Sequence, residues 1–247
     1  MLNTEQAACL GSTVGLFQKM LADLPGPRLH ETIPAFHDME KRYGAFWKAL
    51  AEDRFGRAGE AGPEIAFMEE NEERGTLLTR LIREGSLPER ICHNDTKMSN
   101  ILLDAESGRA LCMVDLDTVM PGSALFDSGD LIRTVATTCG EEETDLGKVR
   151  FDPALYRALV SGYLGQAAGF LTPAELGLVA ESGRNITQIM GIRFLTDWLD
   201  GDRYYRTNRP GQNLDRCRNQ IALIRSMDDQ WEAILKATDE LVGLTFG

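Results

Sequence analysis

Between about Arg90 and Thr118 a chain otherwise patterned for helices changes its texture, and that interruption constrains the fold more than any other feature. Ile101-Leu102-Leu103 and Leu111-Cys112-Met113-Val114 are short apolar runs on either side of the polar turn Asp104-Ala105-Glu106-Ser107-Gly108-Arg109. Short apolar runs around such a turn predict an antiparallel β-hairpin. Both outer flanks of the hairpin are polar. His93-Asn94-Asp95-Thr96-Lys97-Met98-Ser99-Asn100 leads into the first strand, and Asp115-Leu116-Asp117 follows the second. Antiparallel pairing sets the start of one strand beside the end of the other, so Asn100 and Asp115 are expected to converge.

The rest reads as helix. Leu10, Val14, Phe17 and Leu21 form one apolar face, which Leu24-Pro25-Gly26-Pro27 ends. Asp38 caps a second helix bearing Tyr43, Phe46, Trp47 and Leu50, and a third helical stretch spans about Glu64 to Arg83 with Gly85 as its stop. Asp152-Pro153 and Thr172-Pro173-Ala174-Glu175 are N-cap-plus-proline starts, the second also a capping box. Ile186 to Leu199 and Leu214 to Leu235 predict long helices. The fold class is therefore mainly α with a small central β-hairpin. Gly11-Ser12-Thr13-Val14-Gly15 lies inside a helical period and lacks the lysine and spacing of a phosphate-binding loop.

With 43% hydrophobic residues the chain can bury a proper core, yet it has no apolar run near the ~20 residues that span a bilayer. Its first residues lack the basic and apolar regions of a signal peptide. The five cysteines are scattered and never spaced as C-x-x-C, which suits free thiols in a reducing cytoplasm. A net charge of −12 argues against nucleic acid or a membrane as partner. An acidic protein can still hold a nucleotide if a divalent cation and a few placed lysines assist.

That is the chemistry the hairpin flanks could supply. Phosphoryl transfer needs a carboxylate to orient and deprotonate the attacking hydroxyl, and oxygen ligands to hold magnesium against the phosphates. Because magnesium keeps several waters, one carboxylate and one amide oxygen can suffice. Asp95 fits the first role, Asn100 and Asp115 the second. Asp and Asn in loops commonly just satisfy turns. The complete pattern H-x-D-x-K-x-x-N, hairpin, V-D-x-D is far more specific than any of its parts. His93 is expected to brace the loop and not to act as a base.

These residues resemble the aminoglycoside phosphotransferase and choline kinase superfamily, distant relatives of protein kinases. Within it the chain looks most like the N-acetylhexosamine 1-kinases. The resemblance runs through Leu29-His30-Glu31-Thr32-Ile33-Pro34, His93 to Lys97, Val114 to Gly122, Asp127-Ser128-Gly129-Asp130-Leu131-Ile132-Arg133, Ile192 to Leu199 and Asp202-Arg203-Tyr204-Tyr205. It implies Asp95 as catalytic base, Lys97 reaching toward the transferred phosphate, Asn100 and Asp115 as Mg2+ ligands, and ATP as donor. It also implies a sugar held by Asp95, Asp115, Leu116, Arg193 and Tyr204. Asp117, Asp127 and Asp130 would support the site from behind, as His93 does. On the residues alone, Arg193 could instead pair with Asp197 at i,i+4, and Asp130 with Arg133 as a surface ion pair worth ~0.3 kcal/mol.

The resemblance implies the C-terminal, large lobe of a kinase-like fold over residues 1–247. Residues 1–90 would be its helical part after the hinge, 91–120 the catalytic loop and metal hairpin, and 121–247 the helical substrate-binding part. Nothing before His93 reads as the N-terminal β-rich, nucleotide-covering lobe, which is expected to be missing or separately encoded. The expected function is phosphorylation of a sugar hydroxyl, with an aminoglycoside, choline or homoserine kinase as alternative acceptors. A non-catalytic, sugar-binding lobe is the alternative of another class.

Overall fold

The computed structural model describes residues 2–246; Met1 and Gly247, the ends of the expected 1–247 span, lie outside the described residues. The chain opens with α1 (Thr4–Leu21), held at its start by a capping box between Asn3 and Gln6. Its buried face is Ala7, Leu10, Gly11, Val14, Gly15 and Gln18, rotated from the expected one so that Phe17 and Leu21 lie at its margin. Asp38 caps α2 (Met39–Glu52) as expected. The third helical stretch is broken into α3 (Gly62–Glu70), α4 (Glu72–Gly75) and α5 (Leu77–Arg83). Asn71 causes the first break by turning its side chain onto the Phe67 carbonyl.

Four short strands follow: β1 (Arg90–Cys92), β2 (Ile101–Leu103), β3 (Ala110–Met113) and β4 (Met120–Gly122). β2 and β3 form the expected hairpin, with Ile101 opposite Met113 and a register shift after Leu102. β1 pairs antiparallel with β4, Arg90 opposite Gly122. This second pair was not expected, because three residues including Pro121 carry no readable alternation. It closes the polar segments on both sides of the hairpin into one compact loop cluster.

Behind the cluster come α6 (Ala124–Val135), α7 (Pro153–Ala167), α8 (Pro173–Gly177), α9 (Val179–Leu199), α10 (Gln212–Asp228) and α11 (Trp231–Phe246). The two proline starts are real N-caps: Asp152 accepts from the Ala154 and Leu155 amides, and Thr172 and Glu175 form the capping box. The single helix expected over Leu214 to Leu235 is two. Gln230 at the break donates to the Ser226 carbonyl and to Phe151, which diverts the chain. α9 runs through the core with polar residues buried along it, so its burial could not be inferred from an amphipathic pattern. No described helix is long and apolar enough to cross a membrane, and the five cysteines are all free.

The tightest helix contact lies between α1 and α7. A Cβ built on Gly11 would stand 2.0 Å from the Leu159 carbonyl oxygen, and one on Gly162 2.0 Å from that of Ala8. The glycines that resembled a weak phosphate loop are therefore packing residues. Gly11→Ala is expected to cost about 2 kcal/mol through forced separation of the helices. Chemical denaturation of the two proteins checks this, and equal midpoints and slopes would refute it.

Candidate active site

Asp95 stands at the centre of the loop between β1 and β2. Its Oδ2 accepts from Lys97 Nζ at 2.6 Å and from Asn100 Nδ2 at 2.9 Å. A second bond from Asn100 Nδ2 to the Asp95 carbonyl, also 2.9 Å, fixes the turn that presents the carboxylate. The amide's two donors are thus spent on Asp95, which orients its oxygen away. Asn100 and Asp115 do converge: the Val114 amide donates to the Asn100 carbonyl at 2.9 Å, extending the hairpin by one rung to the residue before Asp115.

Asp115 has a positive φ of 64°, unusual for a residue with a side chain, and is exposed. Leu116 beside it is also exposed, and the Asp117 carbonyl accepts from the Thr32 hydroxyl at 2.8 Å. The expected metal pair is therefore one amide oxygen and one accessible carboxylate. Among the described residues no group of three His, Cys, Asp or Glu side chains is arranged around a metal position. A two-ligand set of hard oxygens still fits Mg2+, which fills its remaining positions with water and phosphate oxygens.

The supporting residues separate into two kinds. Asp127, fully buried, is the clamp: its Oδ1 accepts from the Asn94 amide (2.7 Å), and its Oδ2 from the His93 amide (3.0 Å) and from Gln18 Nε2 (3.0 Å). Its own carbonyl accepts from the Thr96 hydroxyl at 2.6 Å. Burial pushes the Asp127 carboxyl up, while Gln18 and the two backbone N–H groups pull it down. Asp130 faces the other way. It holds Arg133 through two bonds of 3.0 and 2.9 Å, with side-chain exposures of 6% and 5%, so this is a buried pair and not the surface pair considered above.

The His93 ring spans the loop through two hydrogen bonds. Its Nδ1 accepts from the Asp95 amide at 3.3 Å, so Nε2 carries the proton and donates to the Val114 carbonyl at 3.0 Å. The ring thereby ties the Asp95 turn to the strand end before Asp115.

Arg193 and Tyr204 are brought together. The guanidinium sits 4.9 Å from the Phe36 ring, 5.6 Å from Tyr204 and 5.4 Å from Tyr205, with a long 3.5 Å contact to the Tyr204 hydroxyl. It does not pair with Asp197. That carboxylate is taken up by the Arg203, Tyr204 and Tyr205 amides and by Asn213, and so shapes the turn that carries Tyr204. Tyr204 is 67% exposed, whereas the buried Tyr205 hydroxyl has no hydrogen-bond partner among the described residues.

Four residues escaped sequence reasoning. Asn94 donates from Nδ2 toward the carbonyls of Cys92, Thr118 and Met120 and so staples the two loops together. Gln18 ties α1 to the clamp, and Glu141 pairs with Arg133 at the rim of a cavity of about 340 Å3 that opens beside Lys97. His37, on the segment before α2, bonds the Asn94 carbonyl through Nε2 at 2.8 Å. Of these only Asn94 carried a signal, its position inside the H-x-D motif.

Burial pushes the His37 imidazole down to about 3, with Arg193 and Arg42 acting in the same direction against the Asn94 bond and Asp95. An unfolded histidine titrates near ~6.5, so between that pH and about 3 only the unfolded chain takes up the proton. The folded state should lose up to ~1.4 kcal/mol per unit as pH falls through this window. Denaturation at about pH 7 and about pH 5 should show a shallower loss in His37→Gln than in wild type. Equal losses in both would refute the assignment.

Asp95 is thus held between Lys97 and Asn100, with Asp115 just past the end of β3 nearby. The profile of the phosphotransferase enzyme family matches residues 4–176, and the chain belongs to that family. Among solved structures it is similar to choline kinase from Cryptosporidium parvum Iowa II, with a TM-score of 0.52 and 15% identity over 97% of this chain and 72% of that one. That likeness is one of fold: a mainly helical kinase-like architecture with small paired strands.

Proposed function

We propose that the chain is the catalytic and acceptor-binding part of an ATP- and Mg2+-dependent kinase, working in a reducing cytoplasm on a sugar hydroxyl. The acceptor proposed is the anomeric hydroxyl of an N-acetylhexosamine. The observation that carries this reading is Asp95, whose carboxylate is oriented by Lys97 and Asn100 yet still 23% exposed. Asp95 would accept the hydroxyl proton as the oxygen attacks the γ-phosphorus and the bond to the β–γ bridging oxygen breaks. Asn100 and Asp115 would hold Mg2+, which supplies charge neutralisation at the phosphates. Leu116 and the Asp115 backbone would line one side of the acceptor, Arg193 and Tyr204 the other.

Arg193 bears on the choice of acceptor. Among the described residues its side-chain contacts are aromatic rings, the Tyr204 hydroxyl and the Met190 sulfur, with no carboxylate. An uncompensated guanidinium repels a cationic acceptor such as choline or an aminoglycoside and favours an acetamido or hydroxyl oxygen. The nucleotide-covering lobe is proposed to be contributed by residues other than 2–246, in the same or a separate polypeptide. A coupled kinase assay across N-acetylhexosamines, aminoglycosides, choline and homoserine tests the reading. Preference for a cationic acceptor would overturn it. With the nucleotide-covering lobe supplied, calorimetric sugar binding with no magnesium-dependent nucleotide binding would support a sugar-binding lobe instead.

A further inference from the structure

Asn94 is held in the left-handed region, with φ of 63°, immediately before Asp95. Asparagine enters that region more readily than most residues, and here its neighbours hold it there from several sides. Its amide is fixed by Asp127 and its side chain by three carbonyls, all within the segment from Cys92 to Asp127. Its carbonyl alone is held from outside that segment, by His37 Nε2 at 2.8 Å.

The carbonyl can only accept, so Nε2 carries the proton and Nδ1 is bare. Nδ1 is buried without a partner among the described residues, and the residue is 6% exposed. The ring lies 4.5 Å from Phe36 and 5.0 Å from Phe126. Phe36 is in turn the ring on which Arg193 rests at 4.9 Å. His37 and Asn94 also both border a cavity of about 330 Å3.

We propose that His37 is a positioning residue for Asp95: its Nε2–H holds the Asn94 carbonyl and so ties the Phe36–Arg193 acceptor wall to the turn that aims the carboxylate. The inference rests on reading Asp95 as the base. It makes His37 a neutral donor with no part in proton transfer. Accepting a burdened nitrogen at Nδ1 is the cost of presenting the donor at Nε2.

Two variants separate the donor from the ring. His37→Gln keeps an N–H at similar reach, whereas His37→Phe keeps a buried ring with no donor. His37→Phe is expected to lower kcat about 10- to 100-fold with KM for the nucleotide little changed, as misplacement of a base does, and His37→Gln to recover most of the loss. Amide hydrogen exchange gives a second readout that needs no activity. In His37→Phe the amides from His93 to Lys97 should exchange about 10-fold faster while those of α9 and α10 stay unchanged, and His37→Gln should restore protection. Equal effects in both variants would overturn the proposal, because ring packing and not the N–H would then be responsible. Wild-type kcat and exchange in His37→Phe would overturn it as well. Should the wild-type protein phosphorylate nothing, the proposed function fails on its own, and the exchange pattern still decides the His37 tie.

Discussion

Asp95→Asn is expected to reduce phosphoryl transfer by about 10^3-fold while leaving acceptor binding within a small factor of wild type. The asparagine keeps the shape, and its oxygen can still accept from Lys97 and Asn100, but it cannot take the hydroxyl proton. Removing a positioned general base typically costs ~10^2- to 10^4-fold. Single-turnover transfer and sugar calorimetry on the two proteins are the measurements. A variant with near-wild-type turnover would show that Asp95 is not the base. Loss of sugar binding together with turnover would mean that its charge serves the acceptor more than the proton.

The second large effect concerns Asp127. Asp127→Ala strips the acceptor from two buried backbone N–H groups, His93 and Asn94, and from the Gln18 amide. Each buried donor left unpaired costs ~1–3 kcal/mol, so a loss of about 3 kcal/mol is a conservative expectation. For a chain of this size that is a drop in Tm of roughly 6–12 °C. Asp127→Asn should fall between, because its amide keeps one acceptor oxygen but turns a donor against a neighbouring N–H. Thermal unfolding of the three proteins tests the order. An unchanged melting temperature in Asp127→Ala would remove Asp127 from its place as the clamp of the catalytic turn.

The hairpin and its polar flanks were legible because their information is local. Strand length, turn residues and the H-x-D-x-K-x-x-N spacing lie within one stretch, and the convergence of Asn100 with Asp115 follows from antiparallel geometry alone. The helix caps at Asp38, Asp152 and Thr172 were legible for the same reason. What escaped depends on partners distant in sequence. β1 and β4 are three residues each and exist through their mutual pairing. The rotation of α1 is set by glycines whose partner helix begins at Pro153. Gln18 reaches Asp127 and His37 reaches the Asn94 carbonyl across more than fifty positions of sequence, and no spacing rule connects a glutamine on one helix to an aspartate on another. Asp197 shows the opposite error. A helical i,i+4 rule offered it to Arg193, whereas the following turn claimed it with three backbone amides.

The glycine contact between α1 and α7 also sets an order of events during synthesis. α1 leaves the ribosome before α7, but the surface it fits is made by residues 153–167, so it must wait without that partner until α7 has emerged. Gln18 is on that waiting helix, joined at once to Asp127 and to the Tyr163 hydroxyl on α7. The clamp on the catalytic turn is therefore completed only when the two helices meet. Early chains carry the whole H-x-D motif without the means to aim it, and a long-range contact of this kind delays the step that makes the site.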